Sequence, residues 1–191
     1  MSKAKRLVVG ISGASGAIYG LRLLELLKAA GVEIHLVVSR AAKATIAAET
    51  GRSFAEVQAM AHMAYAPDDM AAAISSGSFK TAGMIVAPCS VRSLAEIAQG
   101  VTTGLLTRAA DVTLKERRPL VLMVRETPLH AGHIRNMLAA TENGAIIAPP
   151  VPAFYAKPQS LTEMVDHTLG RVLDLFGIDT DTVRRWPGMG G

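Results

Sequence analysis

The sequence predicts an α/β fold, a doubly wound parallel sheet with helices on both faces. Short apolar runs alternate along the whole chain with longer segments whose apolar residues fall at helical spacing. The run at 83–88 is continuous and apolar, as strands covered on both faces of a parallel sheet are. Polar residues collect just past each run, where a parallel sheet binds its ligands. At 191 residues the chain has the length of a single domain, 1–191, with 177–191 as a C-terminal tail.

The elements follow in order. The first strand, Arg6-Leu-Val-Val, runs into Gly10-Ile-Ser-Gly-Ala-Ser-Gly16, after which Leu21, Leu24 and Leu27 mark a helix. A second strand at 33–39 leads to an alanine-rich helix at 41–50 that carries Glu49, and Ser53-Phe-Ala-Glu56 is a capping box opening a helix through about His62. Asp68-Asp69 opens a short helical stretch, favoured by negative charge at a helix start, and 75–79 is a loop. The strand at 83–88 ends in Pro88-Cys89-Ser90, with helices at 93–98 and 105–118 separated by a break at 100–104. A strand at 119–126, a helix at 130–142 and a last strand at 145–149 follow. A stiff proline-rich loop at 149–158 and an amphipathic helix at 160–176 close the fold, and the tail from Ile178 is expected to lie on a neighbouring surface or fray.

The turn at 10–16 is an anion site by its chemistry. Glycines let a phosphate approach the backbone, Ser12 and Ser15 offer hydroxyls, and the N–H groups and dipole of the following helix favour negative charge. Its spacing is G-x-x-G-x-x-G, with serines where a dinucleotide fingerprint has glycine. The second strand ends in Ser39-Arg40 without a ribose-binding carboxylate, which weakens an NAD reading. No Walker loop is present, and Ala14 and Ala17 stand where the serine nucleophile elbow needs glycine. A phosphate-binding turn of the mononucleotide kind remains, beside the plainer reading that its glycines serve close strand–helix packing.

Composition narrows the classes further. Half the residues are hydrophobic, the formal charge is +4 and aromatics make up 4%. Without a long basic run or interleaved aromatics, this favours small acidic ligands over nucleic acid. One cysteine and five histidines exclude a disulfide framework and a multi-cysteine metal site, and point to a reducing, cytoplasmic setting. The basic start at Lys3, Lys5 and Arg6 is not read as a secretory signal, because glycines interrupt the stretch that follows it. No stretch reaches the roughly 18 apolar residues a membrane span needs.

Several residues could carry chemistry. Arg108 and Lys115 share a helix face, with Asp111 between them. Two cations there suggest a phosphate clamp; the alternative is a solvated side on which Asp111 is an ordinary ion-pair partner. Arg125-Glu126 is better placed, at the end of an apolar strand, where Glu126 could act as acid or base and Arg125 could hold an anion or neutralise it. Cys89 has no adjacent base and reads as a packing residue. His130-Ala-Gly-His133 has metal-ligand spacing but no third ligand motif, so no metal is assigned.

Together these segments resemble a known family. Gly10-Ile-Ser-Gly-Ala-Ser-Gly-Ala-Ile-Tyr-Gly20, Ala87-Pro-Cys-Ser90, the stretch at 106–119 containing Arg-Ala-Ala-Asp and Lys-Glu-Arg-Arg-Pro, Val124-Arg-Glu-Thr-Pro-Leu-His130 and Pro152-Ala-Phe-Tyr-Ala-Lys-Pro-Gln-Ser160 are similar to those of the UbiX-type flavin prenyltransferases, in order across 5–186. The resemblance implies a Rossmann-like (flavodoxin-like) flavoprotein that joins reduced FMN to dimethylallyl phosphate through flavin N5 and C6, without metal. The product is prenylated FMN, the cofactor of UbiD-type decarboxylases in ubiquinone biosynthesis or aromatic acid decarboxylation.

Carried over by position, Gly13, Ala14 and Ser15, with Ser39, Ser90, Val91, Arg92, Ser93 and Arg125, match FMN contacts. Tyr155 and Arg171 match prenyl-phosphate contacts, with Lys115 and Arg108 completing a cationic pocket. Glu126 and Ser15 match proton-handling groups, and Glu49 and Trp186 match active-site positions. In the family some contacts cross between subunits of twelve-membered assemblies. The same fold serves FMN-dependent cysteine decarboxylases, whose catalytic histidine and Pro-x-Met-Asn-type loop have no identified counterpart here. A non-catalytic flavin carrier would not need the set Lys115, Glu126, Tyr155 and Arg171.

Overall fold

The computed structural model describes residues 5–186 and Gly188. Six strands form one parallel sheet: β1 (Arg6–Ile11), β2 (Glu33–Val38), β3 (Met63–Tyr65), β4 (Met84–Cys89), β5 (Leu120–Val124) and β6 (Ile146–Ile147). Their spatial order is β3-β2-β1-β4-β5-β6. The chain therefore winds outward from β1 in one direction and from β4 in the other, and the boundary between these two strands is the topological switch point. The seven helices are α1 (Ala17–Ala29), α2 (Arg40–Thr50), α3 (Phe54–Gln58), α4 (Val91–Ala98), α5 (Leu105–Lys115), α6 (Ala131–Glu142) and α7 (Leu161–Asp174).

Alternation along the strands divides the core in two. Leu7, Val9 and Ile11 pack with Leu21, Leu24 and Leu27 of α1, Ile46 of α2 and Leu169 of α7 on one face. Val8, Met84 and Val86 pack with Leu94 of α4, Leu105 of α5 and Ala140 of α6 on the other. Helices thus cover both faces, as the continuous apolar strands require. Gly20 sets how closely α1 approaches: a Cβ there would lie 2.7 Å from the Ala87 carbonyl oxygen.

Two sequence expectations change. The helix expected through His62 ends at Gln58, and 63–65 forms a strand that was not foreseen. This three-residue edge strand is fixed by side chains as much as by its ladder. The Ile34 N–H donates to His62 Nδ1 at 3.0 Å, and Tyr65 Oη meets His35 Nδ1 at 2.8 Å. Asp68-Asp69 does not open a helix directly. Asp69 Oδ1 accepts the Ala71 N–H at 3.2 Å in a turn, and the first helical residues are the 3₁₀ turn Ala73–Ser75.

Beyond α7 the described part of the tail folds back on that helix. Ile178 is buried, and a Cβ at Gly170 would meet the Val183 side chain at 2.4 Å and the Thr182 hydroxyl at 2.5 Å. Arg185 closes this contact through both of its terminal nitrogens on Asp174, at 2.6 and 2.9 Å. The remainder of the expected tail, Pro187 and 189–191, lies outside the described residues. Among the described residues no helix is long and apolar enough to cross a membrane.

Ser12 joins the two halves of the sheet. Its hydroxyl donates to the Pro88 carbonyl at 2.8 Å and accepts the Ser90 N–H at 2.7 Å, and its own N–H donates to Pro88 at 3.2 Å. Expected from sequence as a ligand donor, Ser12 is instead buried, and its one hydroxyl hydrogen is spent on Pro88. Ser12→Ala leaves the Ser90 N–H without its acceptor and is expected to lower unfolding stability in urea by about 1–3 kcal/mol. A loss below about 0.5 kcal/mol, the range of ordinary surface changes, would contradict this role.

Candidate active site at the switch point

The loops after β1, β2, β4 and β5 converge outside the carboxyl ends of the strands. They enclose a cavity of about 650 Å³ lined by residues 13–15, 39–41, 90–93 and 125–126, together with Pro67, Asp68, Glu96, Thr103, Gly104, Leu106 and Thr107. All nine residues matched to FMN contacts line it. The volume lies within the roughly 300–1,000 Å³ of small-molecule and cofactor sites.

Three helix starts face this region, and the chain treats them differently. At α2, Ser39 accepts the Ala42 N–H at 3.2 Å; at α4, Ser90 accepts the Ser93 N–H at 3.2 Å and donates to the Ser93 hydroxyl at 3.2 Å. At α1 no local side chain caps the helix. Glu49, from the far end of α2, reaches over instead and accepts the N–H groups of Gly16 and Ala17, both at 2.8 Å. Gly16 adopts φ 97°, which aims these two donors at Glu49 and which a side-chain-bearing residue would resist. The negative charge expected at this helix start is therefore supplied by the protein itself. The N–H groups of Gly13, Ala14 and Ser15 make no hydrogen bond among the described residues, and they border the cavity.

The charges around the cavity are unequally committed. Arg40 is 3.0 Å from Asp68, and Arg92 is 2.9 Å from Glu96, which also accepts the Thr103 hydroxyl at 2.7 Å. Arg125 forms no side-chain hydrogen bond or ion pair among the described residues. Its neighbour Glu126 accepts the Thr127 N–H on one oxygen at 2.9 Å and has the other free. Arg125 is thus the cavity's cation without a carboxylate of its own. Glu96, Thr103 and Thr107 were not singled out from sequence, and Asp68, read there as a helix start, was not expected at the cavity; no strand-end signal marks any of the four.

The remaining sequence-derived candidates stand elsewhere. Arg108 pairs with Asp111 at 2.8 Å and donates to the Ser75 carbonyl at 3.2 Å, while Lys115 pairs with Glu116 at 2.5 Å. Tyr155 and Trp186 meet edge-on with centroids 5.7 Å apart, beside α7, where Arg171 donates to Asp174 at 2.7 Å. None of Arg108, Lys115, Tyr155, Arg171 and Trp186 lines the cavity of their own chain. Cys89 is fully buried, and its thiol is pushed up to about 12, so it is no thiolate at neutral pH. His130 and His133 stack on one another, and the His130 Nδ1 accepts the Gly132 N–H at 3.0 Å. Among the described residues no group of three or more metal-ligating side chains is assembled.

Burial pushes the Glu49 carboxyl up, but the Ser15 hydroxyl, the N–H groups of Ala17 and Gly16 and the charge of Arg125 outweigh it, so the net shift is downward. A lowered folded-state value stabilises the fold above the group's ordinary pKa of 4.5, and that contribution is lost as pH falls through the folded value. Glu49→Gln is therefore expected to be less stable than the parent above pH 4.5, with the gap closing on acidification. Thermal denaturation of both proteins across that range checks this; a pH-independent gap would contradict it.

The Flavoprotein family model matches residues 1–175. Flavin prenyltransferase UbiX of Escherichia coli K12 is 58% identical over 187 residues, spanning 96% of this chain and 99% of that protein. Among solved structures, AnUbiX (PadA1) in complex with FMN and dimethylallyl pyrophosphate superposes with a TM-score of 0.96 at 50% identity, over 97% of this chain and 99% of the other. A dodecameric FMN-dependent Ubix-like decarboxylase from Escherichia coli O157:H7 does so with a TM-score of 0.93 at 50% identity, over 96% and 100%. With the cavity and its lining in place, these likenesses show that the chain belongs to the Flavoprotein family and, within it, to the UbiX-type flavin prenyltransferases.

Proposed function

We propose that this protein prenylates reduced FMN with dimethylallyl phosphate, independently of metal, and delivers prenylated FMN to a UbiD-type decarboxylase serving ubiquinone biosynthesis or aromatic acid decarboxylation. The observation that carries the reading is the convergence of residues 13–15, Ser39, 90–93 and Arg125 on one cavity. Reduced flavin, when bound, would supply N5 and then C6 as nucleophiles toward the prenyl carbons, with the C1–O bond of the donor breaking and inorganic phosphate leaving.

The chain's own residues bind and orient. The free N–H groups of Gly13, Ala14 and Ser15 and the starts of α2 and α4 are donors for the phosphate and polar chain of FMN. Arg125, free of a carboxylate partner, is placed to neutralise ligand charge. Glu126, with one oxygen uncommitted, moves a proton between solvent and the cavity, assisted by Ser15. Glu49 fixes the first turn of α1 and with it the Ser15 hydroxyl.

Phosphate departure needs preorganised positive charge, and the matched groups are Lys115, Arg108, Arg171 and Tyr155. Since these line no part of the cavity in their own chain, the reading requires that neighbouring copies bring them to it, in a twelve-subunit assembly like that of the dodecameric neighbour. Trp186 then offers an aromatic face to the allylic cation. We place the enzyme in the cytoplasm.

Incubation with reduced FMN and dimethylallyl monophosphate in the presence of a chelator is expected to give a flavin heavier by one prenyl unit in the mass spectrum. Decarboxylation of a cysteine substrate, or FMN binding without turnover, would replace this reading. Glu126→Gln is expected to bind FMN as the parent does and to form product about 100-fold more slowly, within the range of general acid–base contributions. An unchanged rate would remove Glu126 from proton transfer.

A further inference from the structure

A second cavity of about 570 Å³ opens between the proline-rich loop, α7 and the tail, and His167 stands in its wall. His167 is buried, yet it is not held as a core histidine is. The other buried histidine, His35, has both ring nitrogens engaged, with Tyr65 at 2.8 Å and Glu33 at 2.9 Å. The single hydrogen-bond contact of His167 among the described residues is long, 3.4 Å from Nε2 to the Arg184 carbonyl. Its ring instead meets Tyr155 nearly perpendicularly, interplanar angle 83°, with centroids 5.7 Å apart.

The row His167, Tyr155, Trp186 joins three segments that are separate in the chain: α7, the 3₁₀ turn Phe154–Ala156 and the tail. Tyr155 is 44% exposed and Trp186 60% exposed, so His167 is the row's one buried member. Exposed rings without a buried neighbour sample several rotamers, and a fixed platform restricts them before a ligand arrives. The imidazole meets the Tyr155 ring directly, and its Nε2 lies 3.4 Å from the Arg184 carbonyl, two residues before Trp186. Arg171 follows His167 by one helical turn and so lies on the same side of α7.

We propose that His167 is a positioning residue for prenyl-phosphate binding: its buried ring holds Tyr155, and through Tyr155 it restrains Trp186. The inference rests on the reading that Tyr155, Arg171 and Trp186 meet dimethylallyl phosphate. Because the contact to Arg184 is long, the ring and not the hydrogen bond carries the effect.

The test uses His167→Ala and His167→Phe, assayed with saturating reduced FMN and varied dimethylallyl monophosphate. His167→Ala is expected to raise KM for dimethylallyl monophosphate about tenfold, a loss of about 1.4 kcal/mol of binding, with a smaller change in kcat. FMN affinity should stay that of the parent. His167→Phe, which restores a ring, should bring KM back toward the parent value. Trp186 is the only tryptophan, so its emission reports the tail directly; it should shift to the red in His167→Ala and not in His167→Phe. An unchanged KM in His167→Ala, or a KM equally raised in His167→Phe, overturns the proposal. If His167→Ala does not fold, His167→Gln against His167→Phe decides by the same KM comparison, with Gln raised and Phe near the parent as the supporting result. If the parent makes no prenylated flavin, the functional reading itself fails, and the Trp186 emission still decides whether His167 holds the row.

Discussion

The site depends first on Ser12. Between β1 and β4 the chain reverses its winding, and the loops leaving the two strands separate to open the crevice. A single buried hydroxyl ties them, donating to Pro88 and accepting from Ser90, so the loop at 13–15 and the start of α4 keep a fixed spacing. Each bond is worth only about 0.5–1.5 kcal/mol net. Their value is geometric: they tie residues 13–15 and 90–93 into one cavity lining.

The allocation of charge follows from that frame. A helix start aimed at the crevice attracts an anion, and at α1 the protein supplies one through Glu49. The ligand is left with the loop N–H groups just upstream and with the starts of α2 and α4. Arg40 and Arg92 are committed to Asp68 and Glu96, which leaves Arg125 as the cation available to a ligand. The other candidate cations, Arg108, Lys115 and Arg171, hold partners away from this cavity. One chain thus presents a crevice and, away from it, two sets of groups that this crevice lacks, Arg108 and Lys115 on α5 and Tyr155, Arg171 and Trp186 beside α7.

The parallel sheet was legible because its strands are continuous apolar runs and its strand ends carry serines and the Arg125-Glu126 pair. Serines 39, 53, 90 and 160 cap the helices that follow them, as their positions before helical runs suggest. β3 was not legible: Met-Ala-Tyr has no β-branched residue, and its place is fixed by the bonds of His62 to Ile34 and of Tyr65 to His35, 28 and 30 residues away in sequence. The same limit hid the roles of Ser12 and Glu49. A serine in a glycine-rich turn reads as a ligand donor, and only the approach of Pro88 shows that its hydroxyl is spent. Glu49, 33 residues from Gly16, carries no local mark of capping another helix. For Arg108 and Lys115, helical periodicity placed them correctly on one helix, but which carboxylates they meet depends on packing.

On the proposed reading, the active site is assembled from the crevice of one copy and groups that neighbouring copies bring to it, Arg171 among them. Co-expression of Arg125→Ala chains with Arg171→Ala chains tests it most directly, because each variant alone lacks one half of every site. Mixed assemblies are predicted to form prenylated FMN well above either variant alone, since some crevices with intact Arg125 then meet a neighbour with intact Arg171. Mixed assemblies no more active than the separate variants, at equal folding and assembly size, would show that Arg125 and Arg171 must come from the same chain and would overturn assembly of the site between copies.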